Sequence, residues 1–529
     1  MCIYNILINC KLRKRPQKLY ILKKLYTFAA VFLFKLKLKM IKKNLTKLSA
    51  LAKKGLAVVA ACAISLPAFA EGYQINSQSA RQAGMGHTGV ALKLGAESML
   101  FNPAGMAFMD SKFDISLGLT GIQSKVKYQN GNSELETDNP LSTPIFGYVG
   151  YKPCKNLAFG VSLTNPAGNS LVWPNSWAGS SIIQEVSLKA FSVQPTVSYK
   201  IGDIVSIGAG LMIDFGSFSQ NKALVQKGAF DQLGAMAGSM SQMIPAMGAM
   251  ASAIASLPAS DLANIELSGN AKVAFGVNVG VMVNVSPKVT LGASYRSKVK
   301  MSVEGGEADI EYANDVAESV MKTFAKLDLA TLAGALPPAV ASQLDLTAIM
   351  AKQAQIKFMD ALDDAEFEAS LPIPSIFNVG IGYKPIDGLT LTGEFQYTGW
   401  KAYEKLLVQF DESTGNYAIE SIKDYDNSFA VRIGGEYIIS DFATVRLGGY
   451  VDTTPVQKDN YNPETPGATT FCGTVGASLS PVKFMAIDLT LAYLAGQKTF
   501  GTYKEGTATF SGDYQKSAFM PALGLRFKF

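Results

Sequence analysis

A single histidine, His87, serves all 529 residues, so acid–base chemistry that needs imidazole has one residue to run through. Metal sites built on paired histidines are excluded too, and the cysteines do not replace them. Of five, Cys2, Cys10 and Cys62 precede residue 71, leaving Cys154 and Cys472. Two thiols make neither a disulfide framework nor a zinc site. There is no phosphate loop and no acid pair marked by its context, so no cofactor and no enzymatic activity are expected. Beyond residue 70 no uninterrupted apolar run reaches about 18 residues, the minimum for a spanning helix. Acidic residues are missing from 1–70, which hold 15 Lys and Arg. The remainder carries 33 basic against 42 acidic residues, a net of −9 and the wrong sign for coating nucleic acid.

The basic stretch reads as an export leader. Met40-Ile-Lys-Lys-Asn opens a Lys-rich region, Leu56 to Leu66 is apolar, and Ala68-Phe69-Ala70 is a small-residue cleavage site before Glu71. Residues 40–70 are therefore expected to be a signal peptide, with Met40 as the true start and 1–39 outside the protein. Two alternatives are weaker: a membrane anchor at Ile21 to Phe34 is interrupted by Lys23 and Lys24, and a lipoprotein site at Cys62 follows too short an apolar run. An exported chain without a spanning helix is soluble, or it is a barrel.

Composition leans toward strands, with 48 Gly, 21 Tyr and 29 Phe. The stronger signal is period-two alternation. Val273, Phe275, Val277, Val279, Val281, Val283 and Val285 share one face, against Lys272, Ala274, Gly276, Asn278, Gly280 and Asn284. After Ser286-Pro287-Lys288, Val289, Leu291, Ala293, Tyr295, Val299 and Met301 oppose Thr290, Gly292, Ser294, Arg296, Lys298 and Lys300. A membrane barrel puts the apolar face outward and a soluble sandwich puts it inward, and alternation alone does not choose. Export, length and the last strand do: Phe519, Leu523, Leu525, Phe527 and Phe529 share a face, and a last strand closing on a terminal Phe resembles the signal by which outer-membrane barrels meet their assembly machinery. Counting gives about fourteen such segments, an even number that suits a single-chain bacterial barrel. The expected fold is an all-β transmembrane antiparallel barrel over 112–529, a monomer among outer-membrane lipid, preceded by a glycine-rich hatch over 71–111.

Two insertions break the pattern at about 221–267 and 310–370. The first is rich in Ala and Met, with Met236, Met240, Met243, Met247 and Met250 at mostly helical spacing, and the second is helix-prone. Both follow upward strands and belong outside the cell. A Met stripe is ordinarily a small helical core, yet flexible Met also suits an adaptable apolar binding surface. In the hatch, Gly84-Met85-Gly86-His87-Thr88-Gly89 spells a dinucleotide fingerprint without the preceding strand it needs, so Gly84, Gly86 and His87 are read as plug residues.

Glu71-Gly-Tyr-Gln-Ile-Asn, Arg81-Gln-Ala-Gly-Met-Gly-His-Thr-Gly-Val-Ala and Phe101-Asn-Pro-Ala-Gly-Met-Ala, with Leu291-Gly-Ala-Ser-Tyr-Arg-Ser-Lys, Gln396-Tyr-Thr-Gly-Trp and the terminal strand, resemble the outer-membrane long-chain fatty acid transporter family (FadL/TodX type, with the aromatic-hydrocarbon transporters). The resemblance implies a fourteen-stranded barrel plugged by the N-terminal hatch, of which Asn102, Pro103 and Ala104 are part. It implies two helical outer loops that capture ligand in an apolar groove, a tighter pocket in the lumen, and sideways release through a break in the wall. Tyr73 matches the family's aromatic residue that enters the pocket. Lys423 and Asp424 fall near its charged lumen cluster, and its fifth-strand Arg appears here as Ser217.

Passive uptake of long-chain fatty acids or related hydrophobic molecules is the first functional reading. A surface-recognition barrel such as an adhesin or phage receptor is the second. An enzymatic barrel, third, requires a nucleophile beside His87.

Overall fold

The computed structural model describes residues 72–175, 177–241, 245–259, 261–329, 331, 346–505 and 508–529, so the expected leader lies outside the described residues. Within them the chain forms a closed antiparallel barrel of 14 strands. Several strands are split by a short break into two pieces. In chain order they are β1 (Phe113–Thr120 and Gln123–Asn130), β2 (Ser133–Glu136 and Ile145–Cys154), β3 (Leu157–Thr164 and Gly168–Val172), β4 (Glu185–Ile201), β5 (Val205–Gln226), β6 (Asp261–Ser286) and β7 (Val289–Arg296 and Val299–Tyr312). The second half holds β8 (Ala365–Ile373 and Ile376–Tyr383), β9 (Leu389–Thr398 and Lys405–Phe410), β10 (Ala418–Ile422 and Ser428–Ile438), β11 (Ala443–Asp452), β12 (Thr470–Val482), β13 (Met485–Gly496 and Thr499–Glu505) and β14 (Ala508–Lys528). β14 closes on β1 with Ile115 opposite Phe527 and Leu119 opposite Leu523, and the Phe529 amide donates to the Phe113 carbonyl at 2.9 Å.

The apolar face is the exposed one. Phe275, Val277, Val279 and Val281 are open to the outside, while Asn278 and Met282 on the same strand are buried in the lumen. A soluble sandwich would show the reverse, so the orientation that alternation leaves open is settled as a lipid-facing barrel. Two girdles of Phe and Tyr bound the apolar band. Phe113 stacks on Tyr151 and Phe484 on Phe529 at the end with short turns, and Phe191 stacks on Phe215 and Phe395 on Phe429 toward the end with long insertions. The three tryptophans lie in neither girdle: Trp173, Trp177 and Trp400 are all buried inside.

Two expectations need correction. First, the strands outrun the band, so the insertions are shorter than 221–267 and 310–370. β5 continues to Gln226 and β6 begins at Asp261, while β7 continues to Tyr312 and β8 begins at Ala365. The helices between are Gly228–Met240 and Pro245–Ala255 in the first insertion, and Asp315–Lys326 and Leu346–Leu362 in the second. Second, Val299 and Met301 do not face lipid. Ser297 and Lys298 leave the ladder, and this irregular step reverses the side chains that follow as far as Glu304, where a second shift sets them back. Val299, Met301 and Val303 are buried in the lumen, and Lys298 and Lys300 are exposed outside.

Candidate functional site

The lower lumen is filled by residues 72–110, whose path is set by backbone contact with the wall. An added Cβ on Gly208 would strike Pro103, on Gly280 the Asn102 side chain, on Gly292 the Val90 carbonyl and on Gly434 the Met85 carbonyl. Gly86, at φ 65°, is locked from the other side, since a Cβ there would lie 2.4 Å from the Ile433 carbonyl oxygen and 2.5 Å from the Gly449 nitrogen. Gly84 sits equally close to β12 and β13, an added Cβ falling 2.9 Å from Thr490 Oγ1. Glycines alternating with bulky outward residues thus give a lumen into which a folded chain segment fits main chain to main chain.

Polar contacts complete the seat. Asn102 caps the turn begun by Pro103, accepting from the Ala104 amide at 3.1 Å, and its Nδ2 donates to the carbonyls of Val90 at 2.7 Å and Val281 at 3.0 Å. Glu394 on β9 accepts from the amides of Gly89 and Val90 at 2.7 and 2.9 Å. Arg81 reaches Glu436 at 3.4 Å, and Glu436 also meets Arg446 at 2.8 Å. Buried charges are tolerated here because they are paired. His87 is buried at φ 58°, with Nδ1 3.3 Å from the Asn76 carbonyl oxygen and its ring edge-on to Tyr450. Burial first, and the nearby Arg432 second, push its pKa down from 6.5 to about 3. Among the described residues no nucleophile touches it.

Above the hatch the lumen turns apolar. A partly open apolar cavity is lined by side chains of β3 to β9, among them Ala167, Phe218, Met301, Val303, Leu371 and Leu406. Tyr73 stands beside it. Its hydroxyl donates to the carbonyl of Pro372, between Leu371 and Ile373, and its ring lies edge-on to Trp400 at 4.8 Å and Tyr403 at 5.7 Å. Burial raises its pKa well above the usual phenol value, so it stays a neutral donor.

Lys423 is fully buried behind that cluster, with Nζ 2.7 Å from Glu464 and 6.0 Å from the Tyr403 ring centre. Asp424 does not join it. At φ 45° the chain turns and leaves Asp424 exposed, so the two expected lumen charges point apart. Ser217 lies on the cavity edge with Lys189 opposite it on β4. Apart from Ser217, the residues that line the cavity were missed by sequence reasoning; Met301 and Val303 were hidden because they change faces at Ser297-Lys298.

The two insertions share one apolar core. Phe230, Leu233 and Ile254 from the first pack with Met321, Phe324, Ile356 and Met359 from the second, and the rings of Phe230 and Phe324 stand 5.4 Å apart. Met250 packs against this core, while Met243 and the side chains of Met236, Met240 and Met247 lie outside the described residues. Beside the cavity the wall is broken. β3 stops at Thr164, resumes at Gly168, and there pairs with β4, while residues 140–144 of the β2 edge make no ladder with it. The hatch fills the break from inside: Gln74 bridges Ala167, and the Gly168 amide donates to the Tyr73 carbonyl at 2.9 Å.

The chain is 22% identical to the long-chain fatty acid transport protein of Salmonella typhi over 84% of its own length and 92% of that protein. It is 22% identical to outer membrane protein P1 of Haemophilus influenzae over 52% of this chain and 50% of that one. Its fold matches the crystal structure of a Pseudomonas aeruginosa FadL homologue with a TM-score of 0.67 at 18% identity, covering 87% of this chain and all of the other. The Pseudomonas putida toluene transporter TodX matches with a TM-score of 0.58 at 13% identity, over 87% of this chain and 100% of that one. These relatives are transport proteins of the Gram-negative outer membrane and not enzymes. Residues 61–529 match the family model of outer membrane protein transport proteins (OMPP1/FadL/TodX), and this chain belongs to that family of hydrophobic-compound transporters.

Proposed function

We propose that the protein admits long-chain fatty acids or related hydrophobic compounds by passive diffusion through three stations. Ligand is captured on the helical outer insertions, passes to the cavity beneath them, and leaves sideways into the membrane at the break in β3. The observation that carries this reading is the cavity itself, an apolar chamber between a seated hatch and an apolar cap, with a wall residue of the break, Ala167, in its lining. A long acyl chain gains about 0.8 kcal/mol for each CH₂ it buries, so such a chamber holds it against water with few polar contacts. No energy-coupling group is needed, because graded apolar sites move ligand down its gradient. Tyr73 links two of the stations: its hydroxyl holds the Pro372 carbonyl, between two residues of the cavity wall, and its carbonyl ties the hatch to Gly168 at the break. A shift of the hatch at Tyr73 would therefore open the exit as it deforms the chamber. The protein works as a monomer, and Phe529, exposed at the base of the closing seam, presents the terminal side chain to the barrel-assembly machinery.

The test is uptake of labelled oleate and labelled toluene by cells with the gene, without it, and with Leu371→Trp, which fills the chamber. Dependence on the gene and loss in the variant are expected for at least one of the two compounds. If neither flux depends on the gene, transport of this class of molecule is refuted.

A further inference from the structure

The ladder between β6 and β7 is interrupted. From Val289 to Arg296 the two strands pair, and Ser297 adds a bond from its amide to the Val277 carbonyl at 2.9 Å. Pairing returns only where Val303 faces Ala271. Between these points residues 298–302 of β7 and 272–276 of β6 run side by side without a ladder, while β7 is paired with β8 from Val299 onward. In a wall set in lipid such a stretch is costly, since hydrocarbon offers no partner for a free amide or carbonyl.

Side chains close the seam instead. Val299, Met301 and Val303 turn inward across it, and β6 contributes only the small Ala271, Ala274 and Gly276 to the inner side. Val299 lies over Gly276, its Cγ2 2.6 Å from where a Cβ on that glycine would sit. Behind these side chains is the cavity, which Ala271, Met301 and Val303 line. On the outside, Phe275 is 64% exposed within the seam and Tyr295 is exposed just below it, which places the seam at the outer aromatic girdle. Lys298 and Lys300 flank it there, both exposed and neither with an ion-pair partner among the described residues, and a Lys272–Glu304 ion pair spans its upper end. An apolar slot with unpaired cations at the membrane interface matches a molecule with one acyl chain and an acidic head.

We infer that the β6–β7 seam is a second side door, through which a single-chain acidic amphiphile passes between the cavity and the membrane with its head held by Lys298 and Lys300. The inference rests on the cavity being a ligand site, as proposed above. Val299 and Met301 act as the leaves of the door: a rotamer change in each uncovers the slot without breaking a backbone bond.

The experiment joins the two lips. In a Cys154→Ser, Cys472→Ala background, Val273→Cys and Ser302→Cys are linked on whole cells by a short bis-maleimide with a reducible spacer. Labelled oleate uptake is expected to fall about twofold on linking, the β3 break carrying the remainder, and to recover on reduction. Oleate binding by the purified linked protein should be unchanged. Uptake that is the same before and after linking overturns the door. If the reduced protein neither binds nor transports oleate, the cavity reading itself fails and the door falls with it. Lys298→Glu with Lys300→Glu should slow oleate and spare toluene, and equal slowing or no slowing of both overturns the head-group assignment.

Discussion

Replacing Asn102 with alanine tests whether the hatch is a docked part held by identifiable bonds. The side chain makes three: donations to the Val90 carbonyl at 2.7 Å and the Val281 carbonyl at 3.0 Å, and acceptance from the Ala104 amide at 3.1 Å. All of it is buried, so water does not replace what is lost. The cap alone is worth about 0.5–2 kcal/mol, and each buried partner left empty costs roughly 1–3 kcal/mol. Val281 lies in a ladder and loses least, which puts the total at about 3–5 kcal/mol. At 1.4 kcal/mol per factor of ten, the population of undocked hatch should rise roughly a hundredfold or more. Amide hydrogen exchange read by mass spectrometry on peptides from 84–110 reports that population directly, with β12 to β14 peptides as an internal reference. Asn102→Ser keeps a cap acceptor and loses both donations without adding charge, so it should fall between alanine and the native residue. A change in hatch exchange below tenfold for Asn102→Ala would refute this account of the docking.

Other predictions follow from the same geometry. Gly86→Ala should expel the Met85–Thr88 turn from the wall, because its Cβ meets backbone at 2.4 Å and a left-handed φ costs a further 1 kcal/mol or so; protease cleavage in the hatch of the folded barrel checks it. His87 holds its pKa near 3 when docked and near 6.5 when released, so its contribution to docking is full above pH 6.5 and is lost as pH falls. Between pH 7 and pH 5 the loss is about 2 kcal/mol, seen as faster hatch exchange at pH 5 in the native protein and absent in His87→Gln. Lys423→Met leaves Glu464 buried without its cation and should cost about 3–5 kcal/mol of loop stability, while Lys423→Met with Glu464→Gln recovers most of it. If the double variant instead loses oleate binding, Lys423 is a ligand anchor and not a structural pair.

Much of the barrel was legible because lipid and lumen impose opposite demands on successive residues, as the Val273 to Val285 run shows. The strand count, the closing strand and the positions of both insertions follow from that. What was hidden arises from single-residue irregularities. Two residues outside the ladder, Ser297 and Lys298, move Met301 from the lipid face into the cavity, and a period-two pattern looks the same on either side of them. The left-handed turn at Asp424 separates it from Lys423 in the same way. Helical spacing in the first insertion anticipated helices there, and it carried no information on which residues of the two insertions meet. Tyr73 could be singled out only by resemblance, since nothing local distinguishes it from another plug aromatic.

Where glycine meets main chain around the hatch, the wall has no side-chain lock into which a matching key must fit. It accommodates the course of the polypeptide, and only a handful of residues such as Asn102, Arg81 and the glycines are held to identity. The plug is thus an interchangeable insert: grafting residues 72–110 of a family relative into this barrel should seat, provided those few positions and the length between them are kept. Drift in the remaining plug residues is free to retune the floor of the chamber without rebuilding the wall.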